Sequence, residues 1–158
     1  MFLIKMLPKW HALFGFLFAY LIFWFTNINI FQASLIFLAS FFIDIDHYLY
    51  YILTKKRFSL KSSYNWFKIR RDKFLQLSNK EKRKHKQTIL IFHGFEPIIA
   101  LFLLSSVFPL LKFIAIGFIF HIALDLIVEF KHGLVHYKLS IIYSIYNHIL
   151  KRKRKPFF

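Results

Sequence analysis

The chain has 158 residues, of which 58% are hydrophobic and 22% aromatic, and its formal net charge is +16 at pH 7. This hydrophobicity excludes a disordered chain, and a content of only four Gly and four Pro excludes a collagen-like or linker-like one. A soluble domain of this size needs a mixed polar surface, for which seven acidic residues are too few. The composition therefore predicts an all-α integral membrane protein with a single membrane domain over residues 1–158.

Apolar runs predict four membrane-spanning helices, at about residues 10–25, 30–43 (continuing to 53), 89–107 and 110–130. A helix that crosses a bilayer needs roughly 17–25 mostly apolar residues. Residues 26–29 and 105–109 are predicted to be tight reversals, and Pro109 is well placed to begin a helix. A signal peptide is the competing interpretation of the first run, but no small-residue cleavage site follows it.

Two polar segments accompany these runs. Residues 54–88 are predicted to form a basic cytoplasmic loop, which could contain an amphipathic helix lying on the membrane. Residues 135–150 are predicted to form a surface helix, because Ile141, Ile145 and Ile149 recur with helical spacing. That helix leads into a basic tail at residues 151–158.

The basic residues predict the orientation in the membrane. Thirteen of the 23 lie between Lys55 and Lys86, and five more form the run from Lys151 to Lys155. By the positive-inside rule, both termini and the 54–88 loop face the cytoplasm, and the protein belongs to the plasma membrane. Both basic segments are expected to meet anionic lipid headgroups, with no specific nucleic acid as a partner.

The acidic residues are distributed in the opposite way. Five of the seven lie inside or against apolar runs, namely Asp44, Asp46, Glu96, Asp125 and Glu129. Carboxylates in such surroundings are costly, so they are usually functional or paired. Several stand three or four residues from a histidine, a spacing that puts both side chains on one helix face. Bundles build metal sites in their cores from such pairs.

Eight residues are candidate metal ligands because all fall towards the cytoplasmic ends of the predicted spans. They are His11, Asp44, Asp46, His47, His93, Glu96, His121 and Asp125. Because the chain has no cysteine, a metal must be held by histidine and carboxylate. The set predicts one or two divalent ions, with zinc preferred and manganese or iron as alternatives. Asp46 or Glu96 is the predicted general base, whereas His132, His136 and His148 are predicted outside the site.

Each part of this set has a structural alternative. His11 alone is typical of an interfacial side chain, and Asp44 is a favourable cap for a helix that begins after it. His93 and Glu96 are compatible with an interfacial turn in which Gly94 and Pro97 restart a helix. His121 and Asp125 could pair with each other and bind no metal.

The order of these motifs resembles a known family. Asp44-Ile45-Asp46-His47 after an apolar run, a later histidine at a basic-to-apolar junction and a final His121-x-x-x-Asp125 are similar to the membrane-bound metal-dependent hydrolases of the YdjM/YbcI type. The resemblance covers about residues 10–129. The middle motif departs from the family's His-Arg-Gly-x-Thr-His, because here it is either His85 or His93-Gly94-Phe95-Glu96. The resemblance implies a divergent metal-dependent hydrolase.

The expected substrate is a phosphoester or a lipid-linked molecule at the cytoplasmic headgroup level, with the metal activating a water molecule. One alternative is a non-enzymatic membrane adaptor that binds anionic lipid or nucleic acid through the basic loop and tail. A metal or proton transporter is a further alternative. It is disfavoured because the outer halves of the predicted spans contain few polar residues.

Overall fold

Helices are the only regular elements in the residues described by this computed structural model, which are 8–82, 89–131 and 140–150. The predicted all-α class is therefore confirmed for this part of the chain. In chain order the helices are α1 (Pro8–Phe25), α2 (Ile30–Phe42), α3 (Ile45–Lys55), α4 (Leu60–Gln76), α5 (Asn79–Lys82), α6 (Phe95–Leu104), α7 (Leu111–Lys131) and α8 (Ile141–Leu150).

A tight reversal joins α1 to α2, at the residues where the sequence predicts one. The side chain of Asn29 accepts a hydrogen bond from the amide of Gln32 at 3.0 Å, and the Gln32 side chain accepts one from the amide of Asn29 at 3.0 Å. This reciprocal capping box satisfies amide groups that the first turn of α2 leaves without helical partners. A second reversal precedes α7, which begins two residues after Pro109.

The apolar core lies where α1, α2 and α7 meet. Its buried residues are Ala19, Ile36 and Phe113, one from each of these helices. Helix α6 packs against α7, on the margin of this three-helix unit.

Two glycines allow the three helices to approach closely. A Cβ atom on Gly15 of α1 would lie 2.2 Å from the hydroxyl oxygen of Ser40 in α2. A Cβ atom on Gly117 of α7 would lie 2.4 Å from the carbonyl oxygen of Ile36. Small residues at helix crossings bring backbones together in this way. The close approach also carries the polar residues of α1, α2 and α7 towards one another.

Two stretches of the described chain are long and apolar enough to cross a membrane. They are Ile30–Lys55, with 26 residues, and Leu111–Val128, with 18. The first stretch contains a turn between α2 and α3, just before Asp44. The break lets α3 present its first residues to the histidines of other elements.

The third predicted span is not one continuous helix. Residues 89–94 are irregular, and α6 covers only the ten residues Phe95–Leu104. Pro97 is tolerated in the first turn of α6, where its missing N–H would have no helical acceptor. Before that turn, the amide of Phe92 donates to the carboxylate of Asp46 at 3.0 Å instead of entering a helix.

The basic loop forms α4, which packs on α3 through aromatic side chains. The ring centroid of Trp66 lies 5.8 Å from that of Tyr51 and 6.3 Å from that of Tyr50. At the other end of the chain, α8 forms the second half of the predicted surface helix. His85, His132, His136 and the tail at residues 151–158 lie outside the described residues, so the predictions made for them stay predictions.

Candidate metal centre

Four histidines from four separate parts of the fold meet in one cluster: His11 of α1, His47 of α3, His93 before α6 and His121 of α7. The rings of His11 and His121 stack at 4.1 Å between centroids, and those of His93 and His121 lie 5.2 Å apart. The ring of His47 lies 5.0 Å from that of His93. His11, His93 and His121 are 3%, 4% and 0% exposed, so the helix packing buries them almost completely.

Asp44 inserts a carboxylate oxygen among these imidazoles. Its Oδ1 atom lies 3.4 Å from Nε2 of His93, and 3.6 Å from Nε2 of both His47 and His121. Although α3 begins directly after Asp44, the side chain makes no capping hydrogen bond to the helix. The capping role that its position suggests is therefore absent, and the carboxylate faces the histidines.

Asp125 closes the cluster from the other side. Its Oδ2 atom lies 3.7 Å from Nε2 of both His93 and His121, and its Oδ1 atom lies 3.4 Å from Nε2 of His11. Asp125 stands one helical turn after His121, so α7 supplies both groups from one face. Asp125 also contacts His11 and His93. The alternative in which His121 and Asp125 only pair with each other therefore does not describe the site.

The His/Asp cluster, as we call it, consists of His11, Asp44, His47, His93, His121 and Asp125. These are six of the eight ligands predicted from the sequence. Within it, three overlapping groups of three residues each bring their donor atoms within 4.8 Å of one another. Nitrogen and oxygen donors at such spacing could hold a divalent metal ion.

Two of the imidazoles are fixed in the orientation that metal ligation requires. Nδ1 of His121 lies 2.7 Å from the carbonyl oxygen of Ser40, which can only accept, so Nδ1 carries the proton. Nδ1 of His93 lies 3.0 Å from Oδ2 of Asp46. The Nε2 atoms of His93 and His121 are buried and make no hydrogen bond within the described residues. Partners of this kind behind a histidine orient its other nitrogen towards a metal.

Asp46 is thus placed behind His93, not among the donor atoms of the cluster. Only 4% of its surface is exposed, and its Oδ2 atom accepts from the Phe92 amide as well as contacting the His93 ring. It holds the irregular segment and the imidazole together. The sequence placed Asp46 with the ligands, whereas these contacts give it an orienting position.

Glu96 is engaged with α8. Its Oε1 atom accepts from the Ser140 hydroxyl at 2.5 Å and from the Ile142 amide at 3.1 Å, and its Oε2 atom accepts from the Ile141 amide at 3.0 Å. A carboxylate suits a helix N-terminus, which leaves amides without helical partners. The contacts of Glu96 therefore tie α6 to α8 and do not join it to the histidines.

Sequence reasoning missed the partner of His121. Ser40 contributes a backbone carbonyl, and every residue has one, so no residue type marks this role. The side chains of Glu129 and His148 lie outside the described part of the chain, and the prediction that His148 stays outside the site remains a prediction.

The cluster is open on one side. The side chains of Asp44, His47 and Asp125 keep 24%, 28% and 22% exposure, in contrast to the buried histidines. Helix α4 borders this opening, because the ring of Phe67 meets the ring of His47 at 4.8 Å. The partly exposed side of the cluster therefore lies beside α4.

No family model matches this chain, and neither a curated protein nor a solved structure shows significant similarity to it. Function is accordingly inferred from the side chains of the His/Asp cluster and their surroundings.

Proposed function

We propose that the protein is a membrane-embedded metal-dependent hydrolase, with its ion held by the His/Asp cluster. The observation that carries this proposal is the convergence of four imidazoles from separate elements on two carboxylates, Asp44 and Asp125. Burying these groups together is costly unless an ion or protons compensate the charge. The resemblance of the Asp44–His47 and His121–Asp125 motifs to the YdjM/YbcI-type hydrolases supports the same conclusion.

The donor set suits zinc, with manganese or iron as alternatives. Six side chains exceed the needs of one four-coordinate ion, so the site takes two ions, or one ion with a carboxylate to spare. A bound ion supplies Lewis acidity, which activates water and polarises a phosphoryl or carbonyl oxygen.

The proposed base is the Oδ1 atom of Asp125, whose Oδ2 atom would serve as the metal ligand. The sequence predicts Asp46 or Glu96 as the base, but Asp46 contacts His93 from behind and Glu96 binds the start of α8. Neither carboxylate is therefore in position to act on a water molecule at the cluster. Asp125 keeps contact with the open side of the cluster, and its Oδ1 atom lies 3.4 Å from Nε2 of His11. A proton taken up at Oδ1 of Asp125 can therefore be shared with the buried His11 ring.

The surface of the described helices supports a membrane location. Large apolar side chains are exposed on and between the helices, including Trp24, Phe25, Leu103 and Val107. So many exposed large apolar side chains are unusual on a soluble monomer. The charge asymmetry of the basic 54–88 loop and the tail supports a topology with both termini and this loop on the cytoplasmic side.

We propose that the chain crosses the membrane four times and that its third crossing is interrupted. Helix α6 rises only about 15 Å, roughly half of a ~30 Å hydrocarbon layer. The irregular residues before α6 would complete the crossing. Irregular backbone is tolerated at membrane depth where protein covers it. The burial of Leu90, His93 and Gly94 fits this requirement, whereas the apolar side chain of Ile91 is exposed.

A transporter is disfavoured by the packing beyond the cluster. Ala19, Ile36 and Phe113 fill the space between α1, α2 and α7 with apolar side chains. The cluster is thus a pocket with one open side. A non-enzymatic adaptor would leave the buried carboxylates and oriented histidines without a role.

Elemental analysis of the protein purified in detergent tests the proposal. We expect one or two equivalents of a transition metal in the wild type, and a loss of metal in His121→Ala and in Asp125→Asn. Glu96→Gln is the matched control and should retain the metal. Hydrolysis of a chromogenic phosphoester should then depend on the metal and disappear with chelator. A wild type without metal, or a metal content that His121→Ala leaves unchanged, would contradict the proposal.

A further inference from the structure

Helix α4 exposes its two kinds of basic residue to different extents. Its lysines, Lys61, Lys68 and Lys73, are exposed. Its arginines are partly covered by protein and lie on a face whose members recur with helical spacing. That inner face consists of Ser63, Trp66, Phe67, Arg70, Arg71 and Phe74. The lysines suit attraction to an anionic surface, whereas the inward arginines need a more specific explanation.

Arg70 is explained by packing. Its guanidinium carbon lies 4.9 Å from the ring centroid of Trp66 and 6.0 Å from that of Tyr50. Such cation–π contacts are worth about 0.5–2 kcal/mol and fix α4 against α3. Arg70 therefore acts as part of the interface between the two helices.

Arg71 stands one turn beyond Phe67, on the same face of α4. Side chains four residues apart on a helix are neighbours, about 5–6 Å apart at Cβ. The ring of Phe67 contacts the ring of His47, at the open side of the His/Asp cluster. The side chain of Arg71 is only 31% exposed, so protein covers most of its surface.

The register of α4 on α3 carries Arg71 towards the metal ligands. Trp66 contacts Tyr51, and the next residue, Phe67, contacts His47. His47 lies in the first turn of α3, which Asp44 precedes, so Phe67 brings α4 close to the start of α3. Arg71 follows Phe67 by one helical turn, which puts its guanidinium within reach of the open side formed by Asp44 and His47.

We infer that Arg71 receives the phosphoryl group of the substrate at the open side of the His/Asp cluster, so that the protein acts on phosphate esters. This inference rests on the proposed function, because the reacting phosphorus must also reach the ion. A guanidinium presents paired N–H donors that match two phosphoryl oxygens, and it keeps its charge at all working pH values. An arginine beside a metal cluster selects a phosphate ester over an uncharged ester or amide.

Asp72 provides a second, independent test of the inference. Its Oδ1 atom lies 3.8 Å from Nη2 of Arg71, so it is a resident carboxylate that competes with a phosphoryl group for the same guanidinium. Removing the negative charge of Asp72 should therefore strengthen phosphate binding, whereas removing Arg71 should weaken it. Opposite effects from adjacent residues are not expected from general damage to α4.

The experiment measures binding of inorganic phosphate to the zinc-loaded protein by calorimetry, in nanodiscs of neutral phosphatidylcholine. We expect Arg71→Gln to lower phosphate affinity about tenfold or more, and Asp72→Asn to raise it about threefold. Lys73→Gln, on the exposed face, is the matched control and should change it by less than about twofold. Zinc content should stay at the wild-type value in all three variants.

Each outcome has a distinct meaning. A wild type that binds no zinc overturns the proposed function, and the role of Arg71 falls with it. A wild type that binds zinc but no phosphate overturns the inferred substrate class and the role of Arg71, and it leaves the proposed metal centre standing. Unchanged phosphate affinity in Arg71→Gln overturns the role of Arg71. A loss of zinc from Arg71→Gln also overturns it, because Arg71 would then support the metal centre instead.

A second set of nanodiscs, containing phosphatidic acid, distinguishes the two sources of a phosphoryl group. Competition between this lipid and inorganic phosphate in the wild type, lost in Arg71→Gln, assigns the site to a lipid headgroup. Phosphate binding that the lipid leaves unchanged assigns it to a soluble phosphate ester. Both results keep Arg71 as the phosphate-binding residue.

Discussion

The Nδ1 atom of His93 lies 3.0 Å from Oδ2 of Asp46, on the side of the ring opposite to the Nε2 atom that faces Asp44 and Asp125. Contacts of this type fix the tautomer of a metal-ligating histidine and raise its basicity. Here the same carboxylate oxygen also accepts from the Phe92 amide, at 3.0 Å. Asp46 therefore couples the conformation of the irregular segment before α6 to the orientation of a cluster histidine.

The first prediction separates this orienting role from direct ligation. Asp46→Asn should weaken zinc binding by about 10–100-fold while keeping the wild-type stoichiometry, because an amide oxygen still accepts from His93 but carries no charge. Chelator competition measures the affinity, and Asp72→Asn is the control carboxylate. Complete loss of the metal from Asp46→Asn would instead make Asp46 a ligand, as its motif suggests.

The second prediction concerns Glu96. Glu96→Ala should leave zinc binding unchanged but loosen α8, because Ser140 and the amides of Ile141 and Ile142 lose their acceptor. Hydrogen exchange at these two amides should rise by about tenfold or more, which corresponds to one or two lost hydrogen bonds. Exchange in α7 serves as the internal control. Loss of zinc from Glu96→Ala would contradict this prediction and would mean that Glu96 is a metal ligand.

The sequence predicts the parts of the fold that local patterns determine. The predicted reversal at residues 26–29 directly precedes α2, and the apolar run of α7 is long enough to indicate a helix. The break before α6 has a local signal in Gly94 and Pro97. Its long-range cause, the bond from the Phe92 amide to Asp46, joins residues 46 apart and has no local pattern.

The same limit applies to the site. His121 and Asp125 are predictable as a pair because one helix carries both. Asp44 and Asp46 look equivalent in the sequence, but a two-residue step turns a helix by roughly 200°, and the two carboxylates contact different nitrogens of His93. One carboxylate enters the cluster and the other orients His93 from behind. Tertiary packing decides this division of roles.

The third prediction tests the close helix crossings. Gly117→Ala should destabilise the protein by about 1–3 kcal/mol, because its new Cβ would meet the backbone oxygen of Ile36. Gly15→Ala meets the Ser40 hydroxyl instead. Ser40→Ala should therefore partly rescue Gly15→Ala and should not rescue Gly117→Ala. Thermal unfolding in detergent measures these effects, with Ile119→Ala as an exposed control on α7. Equal rescue of both variants would contradict the proposed crossings.

The fourth prediction is the topology. Because the chain contains no cysteine, single substitutions give clean labelling sites. A membrane-impermeant maleimide should label Asn27→Cys and Ser106→Cys in intact cells, because these reversals face outwards in the proposed topology. Ser62→Cys, in the basic loop, should react only after permeabilisation. Labelling of Ser62→Cys from the same side as Asn27→Cys would overturn the arrangement.

The last prediction links the metal to stability. Removing the ion leaves Asp44, Asp46 and Asp125 crowded around the histidines, where each uncompensated charge is costly. At free zinc of about a thousand times its Kd, bound metal should stabilise the fold by ~4 kcal/mol, and chelator should remove this gain. Ligation needs neutral histidine and ionised carboxylate, so zinc affinity should fall as the pH is lowered from neutral. Chelator should therefore lower the unfolding temperature strongly near neutral pH and little near pH 5.

Asp125→Asn should weaken zinc binding yet make the metal-free protein more stable, since it removes a charge and keeps the shape. Unfolding curves with and without chelator provide the measurement. If the wild type and Asp125→Asn respond equally to chelator, Asp125 holds no metal.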